Sequence, residues 1–173
     1  NIGLGGQFAM WAGSLIPLNA VIIVVAESEA QVQESIVRLA RVGIENVKGY
    51  LNSGVESWMK AGFELSTTEQ VTVDQLRDLI EKEDLQVLDV RRPAEYESGH
   101  VPGALSSQLA NLEGRIEQLP FDSRKSVAVI CAGGYRSSAA ASLLKKHGFE
   151  NLLNVTGGTS AWISAGFPVE VSG

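Results

Sequence analysis

A single cysteine, Cys131, is the strongest nucleophile in the sequence, and its neighbours suit a thiolate. It follows the apolar run Val127–Ile130, which is typical of a buried strand, and precedes a predicted helix that begins near Ser137. Between them, Gly133 and Gly134 allow backbone conformations in which successive N–H groups converge on one point. A strand, a glycine-rich turn and a helix N-terminus together make an anion site, so we predict a stabilised thiolate here.

The amides of this loop outweigh the helix dipole as a source of stabilisation. A helix N-terminus contributes about 0.3–1 kcal/mol, whereas each hydrogen bond to a charged acceptor contributes about 1.5–3 kcal/mol. Arg136 would add a fixed cation that clamps an oxyanion. The alternative role of Cys131, a small buried hydrophobe, leaves the two glycines and the arginine unexplained. We predict that Cys131 is catalytic and that substrate is bound by Ala132, Gly133, Gly134, Tyr135, Arg136 and Ser137.

Two charged residues follow the neighbouring predicted strand, residues 86–90. Asp89 and Arg91 would lie at the carboxyl edge of the sheet, where α/β folds bind ligands, and could form the rim of the pocket. The alternative is a structural ion pair or turn contact, which we favour for Asp89 and leave open for Arg91. His100 is interpreted as a structural hydrogen-bonding residue. His147 is the other histidine, and we predict no metal site in this sequence.

The elements that position these residues belong to an internal repeat. Residues 43–46 (GIEN) reappear as residues 148–151 (GFEN). Residues 54–63 (GVESWMKAGF) reappear as residues 158–167 (GTSAWISAGF). Two matched blocks in the same order indicate a duplicated unit.

Each copy has the same coarse pattern of elements. A buried strand is followed by an amphipathic helix, a glycine suited to a left-handed helix end, a short strand and a short helix with a tryptophan. Trp58 and Trp162 occupy equivalent positions, and both are predicted in the core. Alternating strands and helices indicate an α/β fold with a parallel sheet flanked by helices.

Only the second copy has a front half. There, Thr72 is a candidate N-cap for a helix with an apolar stripe, residues 86–90 form a strand, and a second helical stripe runs through Leu109, Leu112, Ile116 and Leu119. We therefore predict a complete domain over residues 66–173, preceded by an incomplete copy over residues 1–65. A half sheet has an unpaired edge and a bare apolar face. A preceding segment, a second chain or a swapped homo-oligomer would complete it.

Composition narrows the functional classes. The 173 residues carry a formal net charge of −6 and show no basic stripe, which argues against a nucleic-acid partner. The longest apolar run, residues 20–26, is far shorter than the roughly 20 residues of a membrane-spanning helix. A lone cysteine rules out an intrachain disulfide, which favours a reducing, cytoplasmic location.

Three motifs resemble those of the rhodaneses, a family of sulfurtransferases. Residues 131–137 (CAGGYRS) resemble the active-site loop of that family, residues 88–104 (LDVRRPAEYESGHVPGA) a second hallmark, and residues 157–162 (GGTSAW) a third. The resemblance covers residues 66–173. It implies a rhodanese-like parallel sheet flanked by helices, and a covalent persulfide on Cys131 without any other cofactor.

The first copy resembles the same family with its chemistry removed. Ala26 stands where Cys131 stands in the second copy, Gln31 stands in place of Arg136, and Glu27 and Glu29 bring negative charge. This copy is predicted to be inert. A degenerate copy before a competent one resembles the C-terminal part of bacterial proteins that begin with a metallo-β-lactamase-type persulfide dioxygenase; the resemblance implies such a domain as a partner, absent from this sequence.

The resemblance implies that a small donor, thiosulfate or a low-molecular-weight persulfide, loads Cys131 with a sulfane sulfur. A thiol, sulfite or cyanide then accepts the sulfur in a double displacement. Since the sequence has no second cysteine, the acceptor must be external. Two alternatives stay open: a non-catalytic docking or sulfur-relay module, and a cysteine phosphatase. Phosphatases of that kind have a longer loop between cysteine and arginine than the four residues found here.

Overall fold

The computed structural model describes residues 1–82 and 85–172, and the chain divides into two compact units. The C-terminal unit is Thr68–Gly173 together with Asn1, and the N-terminal unit is Ile2–Thr67. The sequence placed this division between residues 65 and 66. Among the described residues, none of the helices has both the length and the apolar character that crossing a membrane requires.

The C-terminal unit is an α/β layer structure built on a five-stranded sheet in the order β3-β7-β6-β4-β5. All of its strand pairs are parallel, as the alternation of elements predicted. Its elements are β3 (Glu69–Val71), α4 (Val73–Lys82), β4 (Gln86–Asp89), α5 (Pro93–Glu97), β5 (Leu105–Ser106), α6 (Leu109–Leu112), a 3-10 helix (Glu113–Gln118), β6 (Val127–Ile130), α7 (Tyr135–Lys146), β7 (Leu152–Val155) and α8 (Gly158–Ser164). The numbering counts elements along the whole chain, so that α1–α3, β1 and β2 belong to the N-terminal unit.

Strand β6 lies at the centre of this sheet and is buried on both faces. An unbroken apolar strand of this kind is what a parallel sheet covered on both sides requires. On one face, Ala128 and Ile130 share a core cluster with Leu76 of α4 and Trp162 of α8. Helix α7 contacts β6 and β7 as well. Cys131 therefore directly follows a strand that is packed on both faces.

Helix α4 begins with the N-cap that the sequence predicts. The Thr72 hydroxyl accepts a hydrogen bond from the amide of Gln75 at 3.3 Å, and the Thr72 amide donates to the Gln75 side chain at 2.8 Å. This reciprocal pair satisfies two N–H groups that a helix start leaves unpaired. The predicted left-handed glycines at the helix ends are also confirmed, with φ of 80° at Gly43 and 88° at Gly148.

Two predicted helix boundaries are wrong. The stripe from Leu109 to Leu119 is divided between α6 and the 3-10 helix, and Leu119 is extended, with φ −64° and ψ 131°. Gly114 weakens the helix, and Pro120 disfavours helical geometry at the residue before it. Helix α7 begins at Tyr135 rather than near Ser137 because Gly134, at φ 98°, already completes the turn.

The N-terminal unit repeats the second half of this architecture. It consists of α1 (Phe8–Leu15), β1 (Ile22–Val25), α2 (Glu29–Ala40), β2 (Val47–Leu51) and α3 (Gly54–Lys60). Strands β1 and β2 pair in parallel as a two-stranded sheet. Its small core includes Phe8 of α1, Val24 of β1, and Val32 and Leu39 of α2.

The prediction that both repeat tryptophans are core residues is wrong for one of them. Trp162 is 3% exposed, whereas Trp58 is 41% exposed. The local structure is the same, since each ring contacts the phenylalanine five positions later, with centroids 4.6 Å apart for Trp58 and Phe63 and 5.0 Å for Trp162 and Phe167. The two tryptophans differ in exposure because of the helix packed against them. Helix α4 covers α8, and the described residues 2–67 contain no equivalent of α4.

Candidate active site

Cys131 lies at the carboxyl end of β6, and the loop that follows turns its main chain back toward the sulfur. The amide of Gly134 donates a hydrogen bond to Sγ at 3.2 Å, and the hydroxyl of Ser137 lies 3.5 Å from Sγ. Ser137 is fully buried in the first turn of α7, and Cys131 is 1% exposed. A thiolate at this position would be stabilised by donors that are already in place, and its burial keeps bulk water away.

The loop is braced from behind by the first turn of α8, which sequence reasoning missed. The amide of Thr159 donates to the carbonyl oxygen of Cys131 at 2.7 Å, and the amide of Ser160 donates to that of Ala132 at 3.1 Å. Gly158 has φ +56°, and a Cβ added there would lie 2.1 Å from the Cys131 carbonyl oxygen. A glycine is therefore required at Gly158, and the Gly-Gly pair in residues 157–162 was the signal for this brace.

The N-terminal unit has the same close approach of a glycine to the carbonyl that precedes its loop. A Cβ added at Gly54 would lie 2.5 Å from the carbonyl oxygen of Ala26, the counterpart of Cys131. The side chain of Gln31, the counterpart of Arg136, accepts a hydrogen bond from the Glu27 amide at 3.0 Å. The close approach of the glycine has thus been kept, but the loop differs. Gly134 has φ 98°, whereas its counterpart Glu29 is the first residue of α2, and the position of the nucleophile holds a methyl group.

Arg136 forms a two-pronged ion pair with Glu95 of α5. Its two terminal nitrogens lie 2.7 and 2.8 Å from the two carboxylate oxygens. Glu95 also accepts a hydrogen bond from the Arg92 amide at 3.2 Å. In the structure, both terminal nitrogens of Arg136 contact Glu95. The oxyanion clamp predicted at Arg136 stays a prediction. Sequence reasoning missed this partner, although Glu95 stands in the second resemblance motif.

This pair alters the ionisation of both partners. The hydrogen bond from Arg136, aided by the Arg92 amide, lowers the pKa of Glu95 to about 2 against the opposing effect of burial. The same contact raises the pKa of Arg136 against the opposing effect of burial. At neutral pH the two side chains are therefore fully ionised and compensate each other beside the cysteine.

Asp89 and Arg91, the predicted rim residues, form a buried ion pair with each other. Asp89 lies beside Ile130 in the parallel register, next to the start of the loop. It is fully buried, Arg91 is 5% exposed, and their shortest contact is 2.7 Å. Arg91 also donates to the carbonyl oxygen of Gly99 at 2.8 Å. These contacts favour the structural alternative for both residues, and a role in the pocket rim stays a prediction.

His100 is held among structural partners. Its Nδ1 lies 2.9 Å from the Tyr96 carbonyl oxygen, and its ring stacks on that of Tyr96 with centroids 3.6 Å apart. Its Nε2 lies 3.7 Å from a carboxylate oxygen of Glu170. Within residues 1–82 and 85–172, no three side chains of His, Cys, Asp or Glu are grouped so that they could share a metal ion.

Comparison with known proteins places this loop in a family. The model of the rhodanese-like domain matches residues 72–165, more than half of the chain. The chain belongs to the rhodanese-like domain family. The thiosulfate sulfurtransferase GlpE of Pseudoalteromonas translucida is 34% identical over 95 residues, which are 55% of this chain and 89% of that relative. A sulfurtransferase of Allochromatium vinosum is 34% identical over 91 residues, which are 53% of this chain and 83% of that relative.

Solved structures agree with this assignment. A rhodanese-related protein from Thermoplasma volcanium has a TM-score of 0.55 at 32% identity and covers 60% of this chain and 99% of its own. A thiosulfate sulfurtransferase from Pseudomonas aeruginosa has a TM-score of 0.54 at 25% identity. That structure covers 100% of this chain with 37% of its own.

Gly158→Ala is expected to destabilise the rhodanese-like domain more than Gly166→Ala. Gly166 has φ +73° with open space around it, so its substitution costs only the backbone strain of about 1–2 kcal/mol. At Gly158 the added Cβ also collides with the Cys131 carbonyl, which adds about 1–3 kcal/mol. Urea denaturation of both variants measures the difference, and equal losses would contradict the proposed brace.

The Arg136–Glu95 pair is expected to make stability depend on acid pH. The pKa of Glu95 is about 2 in the folded protein and about 4.3 in an unfolded chain. The pair's contribution is therefore complete above about pH 4.3 and is lost as pH falls through about 2. The stability advantage of the wild type over Glu95→Gln should be full at pH 7 and shrink strongly at pH 3, as urea midpoints can show. Glu97→Gln, on the exposed part of the same helix, should show no such trend.

Proposed function

We propose that the rhodanese-like domain transfers a sulfane sulfur through a persulfide on Cys131. The donor is thiosulfate or a low-molecular-weight persulfide, and the acceptor is a thiol, sulfite or cyanide. The observation that carries this proposal is the hydrogen bond from the Gly134 amide to Sγ at 3.2 Å. It supplies a preformed donor to a sulfur anion, and sulfurtransferases are among the relatives of this chain.

Each half of the cycle is a displacement at sulfur. The Cys131 thiolate attacks the outer sulfur of thiosulfate, a new S–S bond forms, and the old S–S bond breaks so that sulfite leaves with the electron pair. The acceptor then attacks the outer sulfur of the persulfide, and the Cys131 thiolate leaves. The cycle returns the enzyme unchanged, and no cofactor or separate general base is needed.

Two hydrogen-bonding groups of the loop lie close to the sulfur of Cys131. The Gly134 amide and the Ser137 hydroxyl both lie within hydrogen-bonding reach of Sγ. Hydrogen bonds to a charged acceptor are worth about 1.5–3 kcal/mol each, so these contacts would stabilise negative charge on the sulfur during transfer. Because Ser137 is fully buried, it cannot exchange this contact for bulk water.

The pairing of Arg136 with Glu95 bears on the choice of donor. With its charge compensated, Arg136 gives little extra attraction for thiosulfate, whose two charges lie next to the transferred sulfur. In glutathione persulfide the carboxylates lie several bonds away from that sulfur. The compensated pair therefore supports a persulfide of a small thiol as the preferred donor.

The length of the loop argues against the phosphatase alternative. Only four residues separate Cys131 from Arg136, fewer than in cysteine phosphatases, so the ring of the loop is smaller and fits one sulfur atom better than a tetrahedral phosphate. The docking alternative is favoured only for the N-terminal unit, where Ala26 replaces the nucleophile. We propose that this unit has no catalytic role and that the chain works in the cytoplasm, where Cys131 stays reduced.

Incubation with thiosulfate is expected to add the mass of one sulfur atom to the intact chain. Cyanide should remove it, and Cys131→Ala should not gain it, because no other thiol exists to carry it. Moving the cysteine to the equivalent position, with Ala26→Cys added to Cys131→Ala, should not restore loading from thiosulfate. Intact-protein mass spectrometry measures all four. Loading of Cys131→Ala, or turnover of phosphate esters that Cys131→Ser abolishes, would contradict the proposal.

Glu95→Gln is expected to shift donor preference toward thiosulfate. Removing the carboxylate leaves the charge of Arg136 uncompensated, and roughly 1 kcal/mol of added attraction for a dianion corresponds to about a fivefold rise. The ratio of kcat/KM for thiosulfate to that for glutathione persulfide measures this effect. Asp122→Asn removes a matched carboxylate from the exposed pair with Arg124, before β6, and should leave the ratio unchanged. A loss of activity toward both donors without a change in ratio would show that Glu95 only positions the loop.

A further inference from the structure

The sheet of the N-terminal unit exposes side chains that its repeat partner buries. Ile23 and Val25 of β1 are 57% and 52% exposed. Their counterparts in β6, Ala128 and Ile130, are fully buried. In parallel sheets both faces are normally covered, so this difference marks a surface that lacks its covering layer.

Four residues define this surface, which we call the uncovered face: Ile23, Val25, Trp58 and Phe63. All four are more than 40% exposed. Their counterparts Ala128, Ile130, Trp162 and Phe167 all belong to or pack against one core cluster of the C-terminal unit. The uncovered face therefore corresponds to a set of residues that share one core cluster in the C-terminal unit. Single hydrophobic residues scattered over a surface would not correspond to one cluster in this way.

The neighbouring residue Met59 shows that not every exposed apolar residue of the N-terminal unit has a buried counterpart in the C-terminal unit. Met59 is 55% exposed, and its counterpart Ile163 remains 52% exposed in the complete domain. A side chain at this position is therefore exposed even in a complete domain. Met59 is for this reason an ordinary surface residue and is not part of the uncovered face.

The C-terminal unit shows what covers the equivalent face. Helix α4 contacts α8, and its Leu76 is fully buried in the cluster, with Leu79 and Ile80 packed against it. Strand β4 pairs with the free edge of β6, and β3 pairs with that of β7. Within residues 2–67, the outer edges of β1 and β2 have no such neighbours, and two strands alone make a marginal sheet.

We propose that the uncovered face binds a strand–helix–strand segment of the same kind as residues 69–106. Its helix carries an apolar stripe like that of α4 and lies across Ile23, Val25 and Trp58. Its strands pair in parallel with the outer edges of β1 and β2. A second copy of the face would cover the side chains but leave both edges unpaired.

A fusion tests this proposal. The repeat aligns Asn1 with Ser106, so a copy of residues 66–105 joined directly ahead of Asn1 keeps the register of the complete domain. Amide hydrogen exchange in β1 and β2 is expected to slow about tenfold or more in this fusion. The matched control carries Leu76→Asp and Ile80→Asp in the added copy only, and should exchange like the unfused chain.

Substitutions in the face give a second, independent measurement. In the fusion, Ile23→Lys should restore fast exchange in β1, whereas Met59→Lys should leave the slow exchange intact. In the unfused chain Ile23→Lys should change neither folding nor exchange. Loading of Cys131 with sulfur reports that the rhodanese-like domain is folded in every variant.

Two results would overturn the proposal. Unchanged exchange in β1 and β2 of the fusion, with normal sulfur loading, would show that such a segment does not bind. A dimer of the unfused chain that Ile23→Lys dissociates, seen by light scattering, would identify a second copy as the occupant instead.

Discussion

The carbonyl of Cys131 lies against the first turn of α8, with no room for a Cβ at Gly158. This contact locks the loop from the side opposite the sulfur, through hydrogen bonds from the Thr159 and Ser160 amides. With its carbonyls held in this way, the loop can turn the Gly134 amide toward Sγ. Donors that are fixed before the reaction cost no reorganisation when charge develops. The position of the Cys131 loop thus depends on a glycine in a different helix.

Charge around the loop is almost wholly compensated from within the domain. Arg91 is buried with Asp89, and Arg136 is paired with Glu95. A buried ion pair adds little net stability, but the loss of one partner would leave an uncompensated charge. The two pairs therefore fix α5 and the end of β4 near the loop more than they attract an anion. Near Sγ, a hydrogen bond comes instead from the main-chain amide of Gly134.

The two halves of the repeat show that local structure and burial are separate properties. Both copies fold into the same strand, helix, strand and helix, and in both a positive-φ glycine, Gly54 or Gly158, lies against the carbonyl at the start of the loop. Yet Trp162 is buried and Trp58 is not. Hydrogen bonds along the chain and glycine geometry need only near neighbours, whereas burial needs a second layer. The N-terminal unit has the local structure of the repeat but lacks the layer that buries Trp162 in the C-terminal unit.

The sequence by itself determined the features that depend on near neighbours in the chain. The nucleophile loop after Val127–Ile130, the Thr72 cap and the left-handed Gly148 all follow from residue types within a few positions. It also showed the parallel α/β architecture, because the apolar pattern is read along the chain. Only the tertiary structure decided that Glu95 reaches Arg136 across 41 positions, that Gly158 contacts the Cys131 carbonyl, and that Trp58 stays exposed. These contacts depend on which elements the sheet brings together in space, and spacing along one chain does not encode that.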